Sequence, residues 1–128
     1  MCIFCKIANK EIPSNIVYED DYVISFLDLS QATKGHTLVV PKNHVTNVLD
    51  SDIDTLHHVM DGIKNTTEVL KDKLNITSLN VLNNSGEGAG QTVMHMHFHL
   101  LPRYEDDDLT IEFKPHLLTD DIINTLKK

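Results

Sequence analysis

The sequence has no tryptophan, only two cysteines, and no apolar run long enough to cross a membrane. From the missing apolar run we expect no membrane span, and from the two cysteines we expect no structural disulfide. Basic residues are also scarce, because 11 Lys and Arg stand against 19 Asp and Glu, giving a formal net charge of −8. Such a chain lacks the basic surface that binds nucleic-acid backbones. A phosphate ligand would need a local site, since the overall field repels it.

The first residues reach the charged Lys6, Lys10 and Glu11 early, with no apolar stretch of secretory length. We therefore expect a cytoplasmic protein, with no membrane and no nucleic acid among its partners. The 128 residues predict one domain, 1–128, that can bury a hydrophobic core without disulfides.

Apolar periodicity predicts five strands, one long helix and short helices near both ends. The strands are expected at 15–19, 22–28, 36–40, 78–83 and 93–101, and the helices at 3–7, 51–74 and 119–126. Few helices separate these strands, which predicts an α+β fold with a mostly antiparallel sheet and the long helix packed on it.

The long helix carries a narrow apolar stripe whose members step alternately by three and four residues. These are Ile53, Leu56, Met60, Ile63, Thr67, Leu70 and Leu74. Such a stripe is typical of a helix that packs along a second helix, but it also fits a helix that faces its own core, and both interpretations stay open. Ser51 or Asp52 is expected to cap the helix, and Gly62, off the stripe, to weaken it modestly.

Three histidines, His95, His97 and His99, occupy every second position of the fifth predicted strand. Side chains alternate between the two faces of a strand, so the three imidazoles should share one face. Met96, Phe98 and Leu100 would then form the opposite, buried face. Three imidazoles on one face indicate either a metal site or a catalytic site.

A glycine-rich turn at 84–90 immediately precedes the histidines. Glycines allow successive backbone N–H groups to face an anion, and Asn84, Ser85, Gln91 and Thr92 add side-chain donors. A phosphoryl group bound there would lie beside the histidine strand. Taken alone, the run of glycines is also compatible with an ordinary loop.

The pair Cys2 and Cys5 allows three interpretations. A zinc site would need two further ligands, for which histidine is the usual choice. A redox motif normally follows a strand, and no strand precedes Cys2. The two cysteines also fit small buried hydrophobes. Asp28, at a predicted strand end, could accept both hydroxyls of a ribose, although spacing alone favours an ordinary turn aspartate.

Residues 90–102, Gly-Gln-Thr-Val-Met-His-Met-His-Phe-His-Leu-Leu-Pro, resemble the signature of the histidine-triad (HIT) superfamily. The segments 2–7, 28–36 and 39–44 resemble the same family at matching separations, so the likeness covers 2–103 and leaves a C-terminal tail, 104–128. It implies a five-stranded antiparallel sheet. It also implies a homodimer in which the long helix and an edge strand pair with their copies.

The resemblance further implies a nucleotidyl hydrolase or transferase. His97 would attack the α-phosphorus to form a covalent nucleotidyl-histidine, with His36 and His99 beside the phosphate. Asn84, Gln91 and Thr92 would bind the phosphate oxygens, and Asp28 would hold the ribose. The base pocket would be formed by Ile3, Phe4, Ile7, Phe26 and Leu29.

Asn84 indicates the Hint-like branch, which acts on purine nucleoside phosphoramidates, because the Fhit-like branch has glutamine there. A dinucleoside polyphosphate hydrolase and a nucleotide-binding scaffold with little catalysis remain the alternatives. Cys5 matches zinc-carrying members of the family. Their pattern implies a closed structural zinc site, and four protein ligands leave no open position for catalysis. The implied ligands are Cys2, Cys5, His44 and His95.

Overall fold

The computed structural model describes residues 2–127. Five strands form one sheet in the order β1-β2-β3-β5-β4, with every neighbouring pair antiparallel. This confirms the predicted α+β fold with a five-stranded antiparallel sheet and one long helix. The elements are α1 (Ile3–Ala8), β1 (Ile16–Glu19), β2 (Val23–Leu27), β3 (Thr37–Pro41), α2 (Ile53–Leu74), β4 (Leu79–Leu82), β5 (Phe98–Pro102) and α3 (Asp120–Leu126).

Apolar side chains cover both faces of the sheet, because α2 packs on one face and α1 on the other. Val23 and Val39 belong to the core on the α2 side, whereas Ile24 and Val40 belong to the core on the α1 side. These four side chains are fully buried. Central strands covered on both faces explain why β2 and β3 are nearly continuous apolar runs rather than alternating ones.

The long helix α2 begins at Ile53, and the carboxylate of Asp52 caps it by accepting a hydrogen bond from the Thr55 N–H at 3.1 Å. Its apolar stripe has two parts. Ile63 and Leu70 are buried against the chain's own sheet, whereas Ile53 and Met60 are 63% and 57% exposed. The C-terminal half therefore packs within the chain, and the N-terminal half presents apolar surface.

Although Gly62 lies off the apolar stripe, it is buried where α2 packs on Val23 of β2. A Cβ atom at this position would lie 2.5 Å from Cγ2 of Val23. Glycine is needed for this close approach of helix and sheet, so its weaker helix propensity is offset by packing.

The fifth strand is shorter than predicted, since β5 begins only at Phe98. Residues 93–97 run beside the segment after β3 instead, where the Met96 N–H donates to the Val45 carbonyl at 2.6 Å. The alternation of side chains still holds through this stretch. Met96 and Leu100 are fully buried in the α2-side core, with Phe98 packed against it, as the spacing predicted.

After β5, the chain runs from 103 to 119 without a helix or strand in the described structure. Arg103 holds the start of this segment through two bonds of 3.0 Å to the Asp107 carboxylate and one of 2.6 Å to the Leu109 carbonyl. Beyond it, Phe113 and Leu117 are at least 90% exposed. Within 2–127, no helix is both long enough and apolar enough to cross a membrane.

Candidate active site and metal cluster

A cleft of about 500 Å³ opens on the α1 side of the sheet, between α1, the end of β2 and the glycine-rich turn. The cleft contains most of the side chains that the sequence predicted for it. These are Ile3, Phe4, Ile7, Phe26, Asp28, Leu29, Asn84, Thr92, His97 and His99. One end of the cleft is therefore apolar, and the other carries histidines, an amide and a hydroxyl.

Residues 12–15 also line the cleft, and sequence reasoning missed them. They connect α1 to β1, and the Leu27 N–H donates to the Asn15 carbonyl at 2.9 Å, which holds this segment beside the end of β2. Their contribution depends on a fold-back that no local pattern reveals. Pro13 was informative only as the end of the first helix.

The backbone carbonyl of His95 orients the His97 ring. Its Nδ1 lies 2.8 Å from the His95 carbonyl oxygen, and a carbonyl can only accept, so Nδ1 carries the proton. The hydrogen bond therefore leaves Nε2 as the ring nitrogen that can act as a nucleophile. The His97 side chain lines the cleft and is 7% exposed. The structure thus places an imidazole lone pair in a largely enclosed site.

His99 and His36 form a second pair beside the first ring. Nε2 of His36 lies 2.9 Å from Nδ1 of His99, and the rings of His99 and His97 are 5.1 Å apart. Burial lowers the pKa of His36, and it lowers that of His99 to about 4, with the nearby His97 and His36 adding to the effect. Both rings are therefore neutral at pH 7.

Asp28 lies where β2 enters the loop 28–36. Its Oδ1 accepts the Ser30 N–H at 2.8 Å, and its Oδ2 lies 3.6 Å from Nε2 of His36. The Asp28 side chain lines the cleft, and its Oδ2 takes no part in the hydrogen bond to Ser30. Such an oxygen can accept from a ligand hydroxyl, as the ribose hypothesis requires.

Gln91 is not among the residues that line the cleft. Its amide is 4% exposed and donates to the carbonyls of Thr46 and Val93 at 2.7 and 2.9 Å. Its oxygen accepts from the Asn47 side chain and the Gly86 N–H at 3.1 and 2.8 Å. These four bonds use all the capacity of the amide. The structure therefore makes Gln91 a brace behind the glycine-rich turn and does not bring it to the phosphate end of the cleft.

Asn84 and Thr92 do line the cleft, and Gly90 lies between them. Gly90 adopts a positive φ of 97°, and a Cβ atom there would lie 3.5 Å from the Asn84 amide nitrogen. A glycine at this position suits the backbone conformation and leaves the Asn84 side chain its place beside the histidines.

Four further donors gather next to the cleft, at the start of α1. The Cys2 Sγ lies 3.3 Å from Nδ1 of His95, and the Cys5 Sγ lies 3.3 Å from Nδ1 of His44. All four ligand atoms lie within 4.8 Å of one another. This grouping is the one that the family resemblance implied.

The chemistry of these donors fits a zinc ion. Nε2 of the fully buried His95 lies 2.8 Å from the Pro41 carbonyl and must donate to it, so Nδ1 faces the cysteines unprotonated. Burial and the neighbouring Cys2 raise the pKa of the Cys5 thiol, which favours its protonated form. A bound divalent cation would favour the thiolate instead. Two thiolates and two imidazoles are a ligand set that structural zinc sites use. The adjacent histidines favour this interpretation over a redox pair.

Comparison with known proteins agrees with this geometry. The model of the HIT domain matches residues 9–106. An uncharacterised HIT-like protein of Methanocaldococcus jannaschii is 51% identical over 113 residues, which span 88% of this chain and 87% of that protein. The adenosine 5'-monophosphoramidase of Candida albicans is 39% identical over 109 residues, covering 82% of this chain and 72% of the relative.

Solved structures show the same architecture. A Streptococcus mutans protein superposes with a TM-score of 0.91 at 44% sequence identity. The match covers 98% of this chain and 80% of the Streptococcus mutans chain. A zinc-bound histidine triad family protein from Mycobacterium smegmatis superposes with a TM-score of 0.80 at 32% identity, covering 90% and 84%. With the family model matching most of the chain and the histidines arranged as described, this protein belongs to the histidine-triad (HIT) family.

Proposed function

We propose that this protein is a Hint-like nucleotidyl hydrolase that cleaves purine nucleoside phosphoramidates through a covalent intermediate on His97. One observation carries the proposal: the His95 carbonyl holds the proton of His97 on Nδ1, which leaves the Nε2 lone pair in the cleft. A neutral imidazole held in this way is a competent nucleophile. The 39% identity to a fungal adenosine 5'-monophosphoramidase supports the substrate class.

The two ends of the cleft suit the two ends of a nucleotide. The apolar end, which Phe4 and Phe26 help to line, would contact a purine base, and Asp28 would offer its carboxylate to the ribose. Asn84 and Thr92 would donate to the phosphoryl oxygens. Phosphoryl transfer depends mainly on positioning and on stabilising charge, which this division of the cleft supplies.

In the proposed reaction, the Nε2 lone pair of His97 forms a bond to the α-phosphorus as the phosphorus–nitrogen bond of the substrate breaks. The departing nitrogen keeps the bonding electron pair and takes a proton from water. A second water molecule then attacks the nucleotidyl-histidine and loses its proton to the hydroxide that the first water left. That step releases the nucleoside monophosphate and restores the neutral imidazole.

We propose that Cys2, Cys5, His44 and His95 hold a structural zinc ion. Bound zinc would cross-link the first helix to residue 95, and it would take no part in bond making. The same residue supplies the carbonyl that orients His97, so the cluster would also fix the backbone beside the nucleophile. The zinc-bound mycobacterial neighbour supports this proposal.

A homodimer is proposed from two exposed apolar surfaces. Val81 and Leu82 on the edge strand β4 are 49% and 37% exposed, and the N-terminal half of α2 exposes Ile53 and Met60. Apolar surface of this kind marks an interaction site. The cytoplasmic location expected from the sequence stays a prediction.

Mass spectrometry after rapid mixing with an adenosine phosphoramidate tests the reaction. We expect a peptide containing His97 to gain the mass of one adenylyl group. The gain should disappear in His97→Ala and persist in His58→Ala, whose ring stacks on Tyr22 at 3.6 Å on a different surface. Full turnover by His97→Ala would exclude the covalent mechanism.

The same assays separate the alternative functions. Faster cleavage of diadenosine polyphosphates than of phosphoramidates would favour a Fhit-like hydrolase. Tight binding of AMP without turnover of any nucleotide ester or amide would favour a binding scaffold.

A further inference from the structure

One side chain of the loop 28–36, that of Gln31, makes four hydrogen bonds to the backbone of the loop between β2 and β3. Its amide nitrogen donates to the carbonyls of Asp28 and His36 at 2.5 and 2.8 Å. Its oxygen accepts from the N–H groups of Gly35 and His36 at 2.8 and 3.1 Å. Although Gln31 is exposed, its amide therefore ties the two ends of the loop together through backbone groups alone.

The next residue in this loop determines where His36 carries its proton. The Ala32 N–H donates to Nδ1 of His36 at 3.1 Å. A backbone N–H can only donate, so Nδ1 must be the unprotonated nitrogen. The ring is neutral at pH 7, because burial lowers its pKa. Its single proton therefore lies on Nε2.

That proton in turn determines the state of His99. Nε2–H of His36 donates to Nδ1 of His99 across 2.9 Å, so the neutral His99 carries its own proton on Nε2. His99 lines the cleft, and its Nδ1 is already occupied. The group that His99 can offer a phosphoryl oxygen is therefore an N–H donor rather than a lone pair.

The same arrangement argues against a metal ion among Asp28, His36 and His99, although their ligand atoms lie within 4.8 Å of one another. A metal on Nε2 of His36 would require the proton to move to Nδ1. There it would meet the Ala32 N–H, which is also a donor. Two donors facing each other at 3.1 Å repel, so this cluster is a chain of hydrogen bonds.

We propose that Gln31 is a positioning residue, which aims the Ala32 N–H at His36 and thereby fixes His99 as a neutral Nε2–H donor to the phosphoryl group. The part concerning the phosphoryl group rests on the proposed function. The protonation pattern itself is a property of the free protein. The two parts can therefore be tested separately.

Nitrogen NMR of the imidazoles in the ligand-free, full-length protein at pH 7 reads the pattern directly. We expect both His36 and His99 to show a protonated Nε2 and an unprotonated Nδ1. A proton on Nδ1 of His36 would overturn the proposal, whatever the enzyme does to nucleotides. An absence of turnover on every nucleotide tested would reject the proposed function alone.

Gln31→Ala, compared with Lys34→Ala in the same loop, tests the positioning role of Gln31. Gln31→Ala should give mixed tautomers at His36 and His99 and lower kcat on an adenosine phosphoramidate about tenfold, with little change in KM. A donor that strengthens as charge develops acts on kcat rather than on ground-state binding. Lys34→Ala should match the wild type in tautomers and kinetics. Wild-type tautomers in a folded Gln31→Ala protein would contradict the positioning role.

Substitutions of His36 supply a test that does not depend on the loop. Glutamine carries an N–H donor at about the reach of Nε2, whereas leucine carries none. We expect kcat of His36→Gln to exceed that of His36→Leu about tenfold. Equal losses in the two variants would show that donation from Nε2 is not what His36 contributes.

Discussion

The two ends of the histidine run use the same side chain in opposite ways. At His95, Nε2–H donates to the Pro41 carbonyl, so a lone pair on Nδ1 faces the cysteines. At His99, Nδ1 accepts from His36, so an N–H on Nε2 faces the cleft. These two neutral rings lie four positions apart in the sequence, and one offers a lone pair to the cysteines whereas the other offers an N–H to the cleft. The partner of the second ring nitrogen, rather than the spacing, decides what each histidine does.

His97 lies between these two ends, and its removal should produce the largest effect. His97→Ala is expected to reduce kcat/KM on an adenosine phosphoramidate about 10⁴-fold, because no other lone pair is held beside the phosphorus. Its zinc content and melting temperature should stay close to those of the wild type. Loss of zinc from this variant would show that the nucleophile and the metal cluster are not separable.

Removing the proposed zinc ion should affect stability more than it affects the chemical step. We expect Cys5→Ser, or treatment of the wild type with a chelator, to lower the free energy of unfolding by several kcal/mol, because binding to a site absent from the unfolded chain adds directly to stability. Thermal unfolding with and without added zinc measures this. His57→Ala on α2 serves as the control and should keep its metal. A chelated protein with unchanged melting would argue against a structural zinc ion.

Lowering the pH should destabilise the folded protein, because His99 is buried in its neutral form. Burial lowers the pKa of His99 to about 4, whereas the unfolded chain takes up the proton near 6.5. Between these values the unfolded state binds more protons, so stability falls as the pH drops from about 6.5 to about 4. Allowing for partial exposure, the loss from His99 is about 2 kcal/mol. Chemical denaturation at several pH values should show a shallower slope in His99→Gln.

The fold was predictable from local pattern because alternation and apolar runs survive in the folded chain. Even where residues 93–97 leave the ladder, Met96 and Leu100 remain on one side and the histidines on the other. The start of β5 at Phe98 was not predictable, since the Met96 N–H pairs with Val45, far away in the sequence.

For the site, the identities of most residues were predictable, but their hydrogen-bond partners were not. The family resemblance indicated the four residues that cluster beside α1 and most of the cleft. It also assigned Gln91 to the phosphate, but the Gln91 amide bonds Thr46 and Asn47 from about 45 positions away. The role of Gln31 was not predictable, because it depends on hydrogen bonds to backbone groups, which leave no pattern of side chains.

The smallest effect is expected where α2 crosses β2, remote from both ends of the histidine run. Gly62→Ala would place a methyl group 2.5 Å from Cγ2 of Val23, and we expect a loss of about 1.5 kcal/mol in the free energy of unfolding. The double variant with Val23→Ala should lose less than the sum of the two single variants, because the second change removes the obstructing methyl groups. Turnover and zinc content should not change in either variant. If the double variant loses as much as the sum of the singles, Gly62 is not required by contact with Val23, and its place on the buried face needs another explanation.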